Sequence, residues 1–179
     1  MSFIKLPDSF KSWEKQHFLH PQLDPQMLDL LLDANSLTQR VIKYCEFRQA
    51  QFSVKVLKQE TALPELCDAR VLNMKIRQWA YLREVFLYCG DTPVVYAKTI
   101  IPLQTLTGKQ RCLAFLGNRP LGAYLFSQPN LHRDPIEIAQ INHQGELLWA
   151  RRSAFYLQQK PLLVYEVFLS DLNCKAENG

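Results

Sequence analysis

Glycine is scarce, with 6 in 179 residues, and none of the spacings that cradle phosphates occurs. The stretch Gly117-Asn118-Arg119-Pro120-Leu121-Gly122 fits neither P-loop nor dinucleotide spacing. No G-x-S-x-G nucleophile turn is present, which argues against a serine hydrolase. The 5 cysteines (Cys45, Cys67, Cys89, Cys112 and Cys174) are odd in number and form no C-x-x-C pair, so neither a disulfide framework nor a zinc ribbon is expected. Most sit in apolar stretches, as core fillers of a protein in reducing cytosol. The 4 histidines show no H-x-x-x-H spacing; His17 and His20 lie three apart in a stretch that reads as irregular, and His132 reads as a surface residue. No metal site and no cofactor is expected. No apolar run is long enough to cross a bilayer, and the first twenty residues lack the apolar core and cleavage site of a secretory signal. The net charge is only +4, with cations scattered among acids rather than clustered as in a nucleic-acid binder. A small anionic ligand fits that balance at least as well. The expectation is a soluble cytoplasmic monomer that binds neither nucleic acid nor membrane.

What is present suits one ordinary domain, with 47% apolar and 21% charged residues, long enough to bury a core without disulfides or metals. Residues 1–22 read as an irregular segment, 23–170 as the domain, and the polar tail 171–179 as frayed. Asp24-Pro25 reads as a helix start, followed by Met27, Leu28, Leu30, Leu31 and Leu32. Ser36 can cap a second helix with Leu37, Val41, Ile42 and Tyr44 apolar. Strands are expected over 52–59, 76–89, 94–103, 131–141, 147–157 and 162–169. The turn 90–93 joins two of them as a hairpin, and the linkers 143–145 and 158–161 are hairpin-length. Residues 63–72 read as a loop or short helix. Residues 105–126 have helical spacing broken at 117–120. Without βαβ alternation, the pattern predicts an α+β fold on an antiparallel sheet.

Two charges stand out inside strands. Arg83 shares its strand face with Tyr81, Val85 and Leu87. Glu166 shares its face with Leu162, Val164 and Phe168, where a lone carboxylate is costly unless something pairs with it. Each alone has a plain structural reading, a local partner or a sheet edge. Together, a guanidinium that grips a carboxylate and a carboxylate that accepts from a hydroxyl could orient a small ligand carrying both groups. The pair Arg151-Arg152 places one arginine on each face, and the plain reading there is an exposed charge and a rim charge.

Several separate segments, in order, resemble the chorismate pyruvate-lyase family. They are Tyr81-Leu82-Arg83-Glu84, Ala97-Lys98-Thr99-Ile100-Ile101-Pro102, Gly117 to Phe126, Arg133-Asp134-Pro135-Ile136-Glu137-Ile138, Trp149-Ala150-Arg151-Arg152-Ser153 and Lys160 to Leu169. Leu23-Asp24-Pro25-Gln26 and Asp33 to Arg40 fit as well, so the resemblance spans 23–169 and is weak only over 50–74. It implies a single antiparallel β-sheet with helical flaps closing over an internal ligand site. It also implies site residues: Arg83 for the ring carboxylate, Glu166 for the ring hydroxyl, and flap contacts at Leu37 and Leu121 that act largely through backbone. Leu37 stands where methionine is familiar, a conservative apolar change. Lys98 stands where arginine is familiar, and without the planar fork its part as a second anion contact is weakened.

The implied reaction splits chorismate into 4-hydroxybenzoate and pyruvate, the first step of ubiquinone ring synthesis. Aromatisation drives it, so orientation and charge placement suffice and no cofactor is needed. Two routes remain open. Glu166 acts as general base, or it holds the hydroxyl while the enolpyruvyl side chain takes up the hydrogen. Burial would raise its pKa and an ion pair with Arg83 would oppose that rise. A closed pocket further implies that flap opening around Leu37 and Leu121 limits turnover. The competing reading is a non-catalytic small-molecule sensor of the same architecture, normally preceded by a DNA-binding domain for which twenty residues are too few.

Overall fold

The computed structural model describes residues 13–15, 23–170 and 172. Its framework is one eight-stranded sheet: β1 (Glu14–Lys15), β2 (Phe52–Ala62), β3 (Ala80–Cys89), β4 (Thr92–Pro102), β5 (His132–Arg133), β6 (Glu137–His143), β7 (Glu146–Leu157) and β8 (Lys160–Phe168). The spatial order is β1-β6-β7-β8-β4-β3-β2, with β5 paired to β7, and every pairing is antiparallel. The α+β architecture expected from the sequence is the one observed. The expected helices are α1 (Pro25–Leu32), α2 (Leu37–Phe47), α3 (Leu66–Val71) and α4 (Leu121–Phe126). Two 3-10 segments, Leu103–Thr105 and Gly108–Phe115, fill the rest of the interrupted helical stretch.

Hairpin turns set the register. In β3–β4, Gly90 adopts φ 59°, a conformation that only glycine enters without penalty. β4 begins earlier than the sequence suggests, at Thr92, and includes Pro93. That proline is tolerated at the end of the strand, where β8 does not yet pair with β4, and the register with β3 shifts beside it, between Leu87 and Tyr88. The β7–β8 turn is built on Gln158 and Gln159, both left-handed, at φ 50° and 68°. The expected strand 131–141 splits into β5 and β6 at Asp134-Pro135, where proline supplies no N–H. Both pieces still pair with β7, so Arg133 lies opposite Phe155 and Glu137 opposite Arg152.

The sheet is covered on both faces. On one face, Leu30, Leu31, Val41 and Tyr44 from α1 and α2 pack on Val85, Leu87, Val95 and Phe168. Next to them Leu113, Leu116, Leu121 and Leu125 pack on Phe155, Leu162 and Val164. On the other face Trp13 and Leu72 join Phe86, Tyr96, Ile100, Leu163, Tyr165 and Val167. Asp24 caps α1, accepting from the Met27 N–H at 3.2 Å. Ser36 occupies the cap position of α2 but makes no cap bond; its buried Oγ faces α4 instead. The described cysteines are free thiols, and Cys45, Cys67 and Cys89 are buried as expected. His132 is exposed, and His17, His20 and Cys174 lie outside the described residues.

Candidate active site

Pleating decides which side chains can meet. Arg83 on β3 pairs with Thr99 on β4, which pairs with Val164 on β8, two residues before Glu166. All four therefore project from one face. Two strand spacings across and one pleat along separate the Cα atoms of Arg83 and Glu166 by roughly 12 Å. Long side chains can reach into that gap from both sides. They do converge: Arg83, Glu166, Leu37 and Leu121 all line one cavity beneath the starts of α2 and α4. Its volume is about 50 Å³, several times the ~10–15 Å³ that one water needs.

Leu37 and Leu121 are each the first residue of their helix and are buried. At that position the backbone N–H has no partner within the helix, so it is free to serve a ligand. The two helix starts touch. A Cβ on Gly122 would lie 2.5 Å from Thr38 Oγ1 and 3.3 Å from Ser36 Oγ, so glycine permits the roof to close.

Arg83 is 2% exposed. Its Nη2 donates to the carbonyls of Gly117 at 2.8 Å and Arg119 at 3.1 Å, on the loop leading into α4. Its Nε is buried and donates to no described residue. Taking this charge out of water lowers the Arg83 pKa from its ordinary value, opposed by Tyr81. A buried guanidinium with an unused donor is suited to an anionic acceptor.

Glu166 is not paired with Arg83. Its Oε2 accepts from Arg151 Nε at 2.6 Å. The expectation of one exposed and one rim arginine at 151–152 is overturned, because each is 1% exposed. Arg151 faces the cavity, and its Nη1 donates to the carbonyls of Leu30, Leu31 and Asp33 at the end of α1. Arg152 faces the other side, with Nε on Glu137 at 2.6 Å and Nη1 on the Tyr165 hydroxyl at 3.1 Å. Over residues 150–155 both faces of β7 are buried, so both arginines are internal and carboxylate-paired.

Lys98 is not brought to the cavity. Alternation puts it on the opposite face, with Nζ 3.7 Å from Glu65, 3.8 Å from Asp68 and 5.9 Å from the centre of the Tyr165 ring. Its part as a second anion contact beside Arg83 is thereby corrected. Glu65, Cys67 and Asp68 gather closely enough for a cation, and the Lys98 ammonium stands beside them. Tyr165 donates to Asp68 there, and burial followed by the Asp68 charge drives the phenol pKa upward.

One cation of the cavity escaped sequence reasoning. Arg133 lines it from β5, with Nε on Ser153 Oγ at 3.0 Å and Nη1 on the Ala34 carbonyl at 3.1 Å. Its guanidinium carbon lies 4.9 Å from the centre of the Phe155 ring. Burial first, then the Arg151 charge, pushes its pKa down to about 10, opposed by Glu166 and Asp33, so it remains cationic at neutral pH. A position beside a strand-breaking Asp-Pro was the available signal, but it does not say which way the side chain turns.

A cavity walled by one face of an antiparallel sheet, roofed by two helix starts and lined by three guanidinium groups and one carboxylate, defines an α+β domain suited to a small anion. Solved structures share its architecture. A GntR-family transcriptional regulator from Bacillus cereus superposes with TM-score 0.54 at 12% identity, over 73% of this chain and 99% of that one. PhnF from Mycobacterium smegmatis superposes with TM-score 0.55 at 14% identity, over 76% of this chain and 64% of that one. At such identities the likeness is one of fold alone.

The chain itself belongs to the chorismate lyase family, whose sequence profile matches residues 11–177. It is 39% identical over 154 residues to the chorismate pyruvate-lyase of Pectobacterium atrosepticum, covering 84% of this chain and 81% of the relative. It is 38% identical over 160 residues to that of Hamiltonella defensa, covering 88% and 87%.

Proposed function

We propose that this chain is a chorismate pyruvate-lyase that converts chorismate to 4-hydroxybenzoate and pyruvate, supplying the aromatic ring of ubiquinone. The observation that carries the proposal, within this family, is the arrangement of Arg83 and Glu166: a buried guanidinium with an unused donor and a carboxylate, on the same sheet face, line one cavity. Arg83 holds the ring carboxylate. Glu166, fixed by Arg151, accepts from the ring hydroxyl. The free N–H groups at the starts of α2 and α4 complete the enclosure at Leu37 and Leu121.

In the reaction, the ring carbon bearing the hydroxyl loses its hydrogen. The neighbouring ether carbon–oxygen bond breaks with its electron pair going to oxygen, and the enolpyruvyl fragment takes up a proton to leave as pyruvate. The ring becomes aromatic, so the chain's task is orientation and electrostatic complementarity. Whether Glu166 or the enolpyruvyl methylene receives the hydrogen, the same contacts serve. Opening of the roof at α2 and α4 governs product release. No helix among the described residues is long and apolar enough to cross a membrane. The protein is proposed to work in the cytoplasm, as a monomer and without cofactor or nucleic-acid partner.

The test is direct. Purified protein is mixed with chorismate without added metal or nucleotide, and 4-hydroxybenzoate is followed by absorbance. Product formation above the uncatalysed rate is the expected result. Tight binding of 4-hydroxybenzoate without turnover would instead make the chain a non-catalytic small-molecule sensor of the same architecture.

A further inference from the structure

Chorismate carries two carboxylates, one on the ring and one on the enolpyruvyl arm, and the product ring keeps only the first. The charged side chains lining the cavity are Arg83, Arg133, Arg151 and Glu166, a net of two positive charges. Arg151 is committed: its Nε is on Glu166 and its Nη1 on main-chain carbonyls. Arg83 and Arg133 are the two cavity cations with no carboxylate within salt-bridge distance among the described residues. With Arg83 assigned to the ring, one cation is left for the arm.

We infer that Arg133 receives the enolpyruvyl carboxylate and so distinguishes substrate from product. The inference rests on the lyase reading and deepens it. Ser153 Oγ at Nε, the Ala34 carbonyl at Nη1 and the Phe155 ring beneath fix the guanidinium plane. Its Nη2 donates to no described residue, which leaves a charge-assisted donor for an anion. The position suits a departing group. Arg133 and Phe126 line both the inner cavity and an outer, more open groove along residues 131–136. An arm held by Arg133 therefore points toward the exit while the ring stays between Arg83 and Glu166. Lys98, on the opposite sheet face, is not available for this contact.

The full chain is compared with its Arg133→Met and Arg133→Lys variants by kcat/KM for chorismate and by Kd for 4-hydroxybenzoate. Loss of one charge-assisted contact lowers kcat/KM by about 10- to 100-fold in Arg133→Met. The loss falls mainly on KM, while Kd for 4-hydroxybenzoate stays within about threefold. Arg133→Lys recovers part of the loss, through charge without the planar fork. Equal losses for chorismate and 4-hydroxybenzoate would reduce Arg133 to a structural role and overturn the inference, as would an unchanged kcat/KM. If Arg133→Met does not fold, the unaltered protein decides with chorismate esterified on the arm carboxylate. That ester should lose the same factor, and equal turnover of ester and acid overturns the inference. Failure of the unaltered protein to turn over chorismate at all sinks the lyase reading instead.

Discussion

Replacing Arg151 by methionine tests whether Glu166 depends on it. The side chain is 1% exposed, and Nε lies 2.6 Å from a Glu166 carboxylate that is itself 18% exposed. Methionine keeps much of the volume but strands that carboxylate and removes the donor shared by the Leu30, Leu31 and Asp33 carbonyls. Breaking a buried pair by removing one partner costs roughly 3–5 kcal/mol, and residual solvent access at Glu166 favours the lower end. About 3 kcal/mol corresponds to a Tm lower by about 6–12 °C for a domain of this size. Most of the cost is a carboxylate left without its cation, so adding Glu166→Gln should recover a large share of the Tm. Thermal unfolding of the single and double variants, followed by circular dichroism, measures both effects. A single variant within about 2 °C of the parent, or a double variant no more stable than Arg151→Met alone, would refute the reasoning.

Three further predictions follow from the packing, the turns and the buried acids. Gly122→Ala places a methyl 2.5 Å from Thr38 Oγ1 and holds the roof apart; 4-hydroxybenzoate dissociation measured by stopped flow should accelerate several-fold, and adding Thr38→Ala should reverse much of the change. Gln159→Gly relieves a left-handed φ of 68° in the β7–β8 turn, worth about 1 kcal/mol in chemical denaturation. Stability should fall as pH rises above 9, because burial raises the Cys45 thiol from 9.0 to about 12 and the Cys67 thiol from 9.0 to about 11. These raised values mean that the stabilisation is complete below the ordinary thiol value and is lost as pH climbs through 9–12, where only the unfolded chain readily ionises. Tm read from pH 7.5 to 11 under reducing conditions checks the slope, which Cys67→Ala should shallow.

The legibility of the site followed the local texture of each strand. In β3 and β8 one charge interrupts an otherwise apolar face, so alternation exposed Arg83 and Glu166. In β7 both faces are buried, and Trp149, Arg151, Ser153 and Phe155 look no more internal in sequence than Leu148, Ala150, Arg152 and Ala154. Local alternation carries no exposure signal there, so in sequence alone the arginine pair reads as surface charge. Lys98 and Thr99 alternate as strand residues must, but which of them faces the cavity depends on the β3–β4 register set by the Gly90 turn and the bulge at Pro93.

Sequence by itself determined the antiparallel α+β architecture, the family and two inward charges, because periodicity and turn chemistry act over a few residues. Only the tertiary structure decided the pairings: Arg151 rather than Arg83 on Glu166, Lys98 on the far face, and Arg133 swung into the cavity. A buried charge takes whichever partner the assembled strands and helix ends bring within hydrogen-bond reach. For Arg151 those partners lie 15 to 121 residues away along the chain, a distance over which no local pattern carries information.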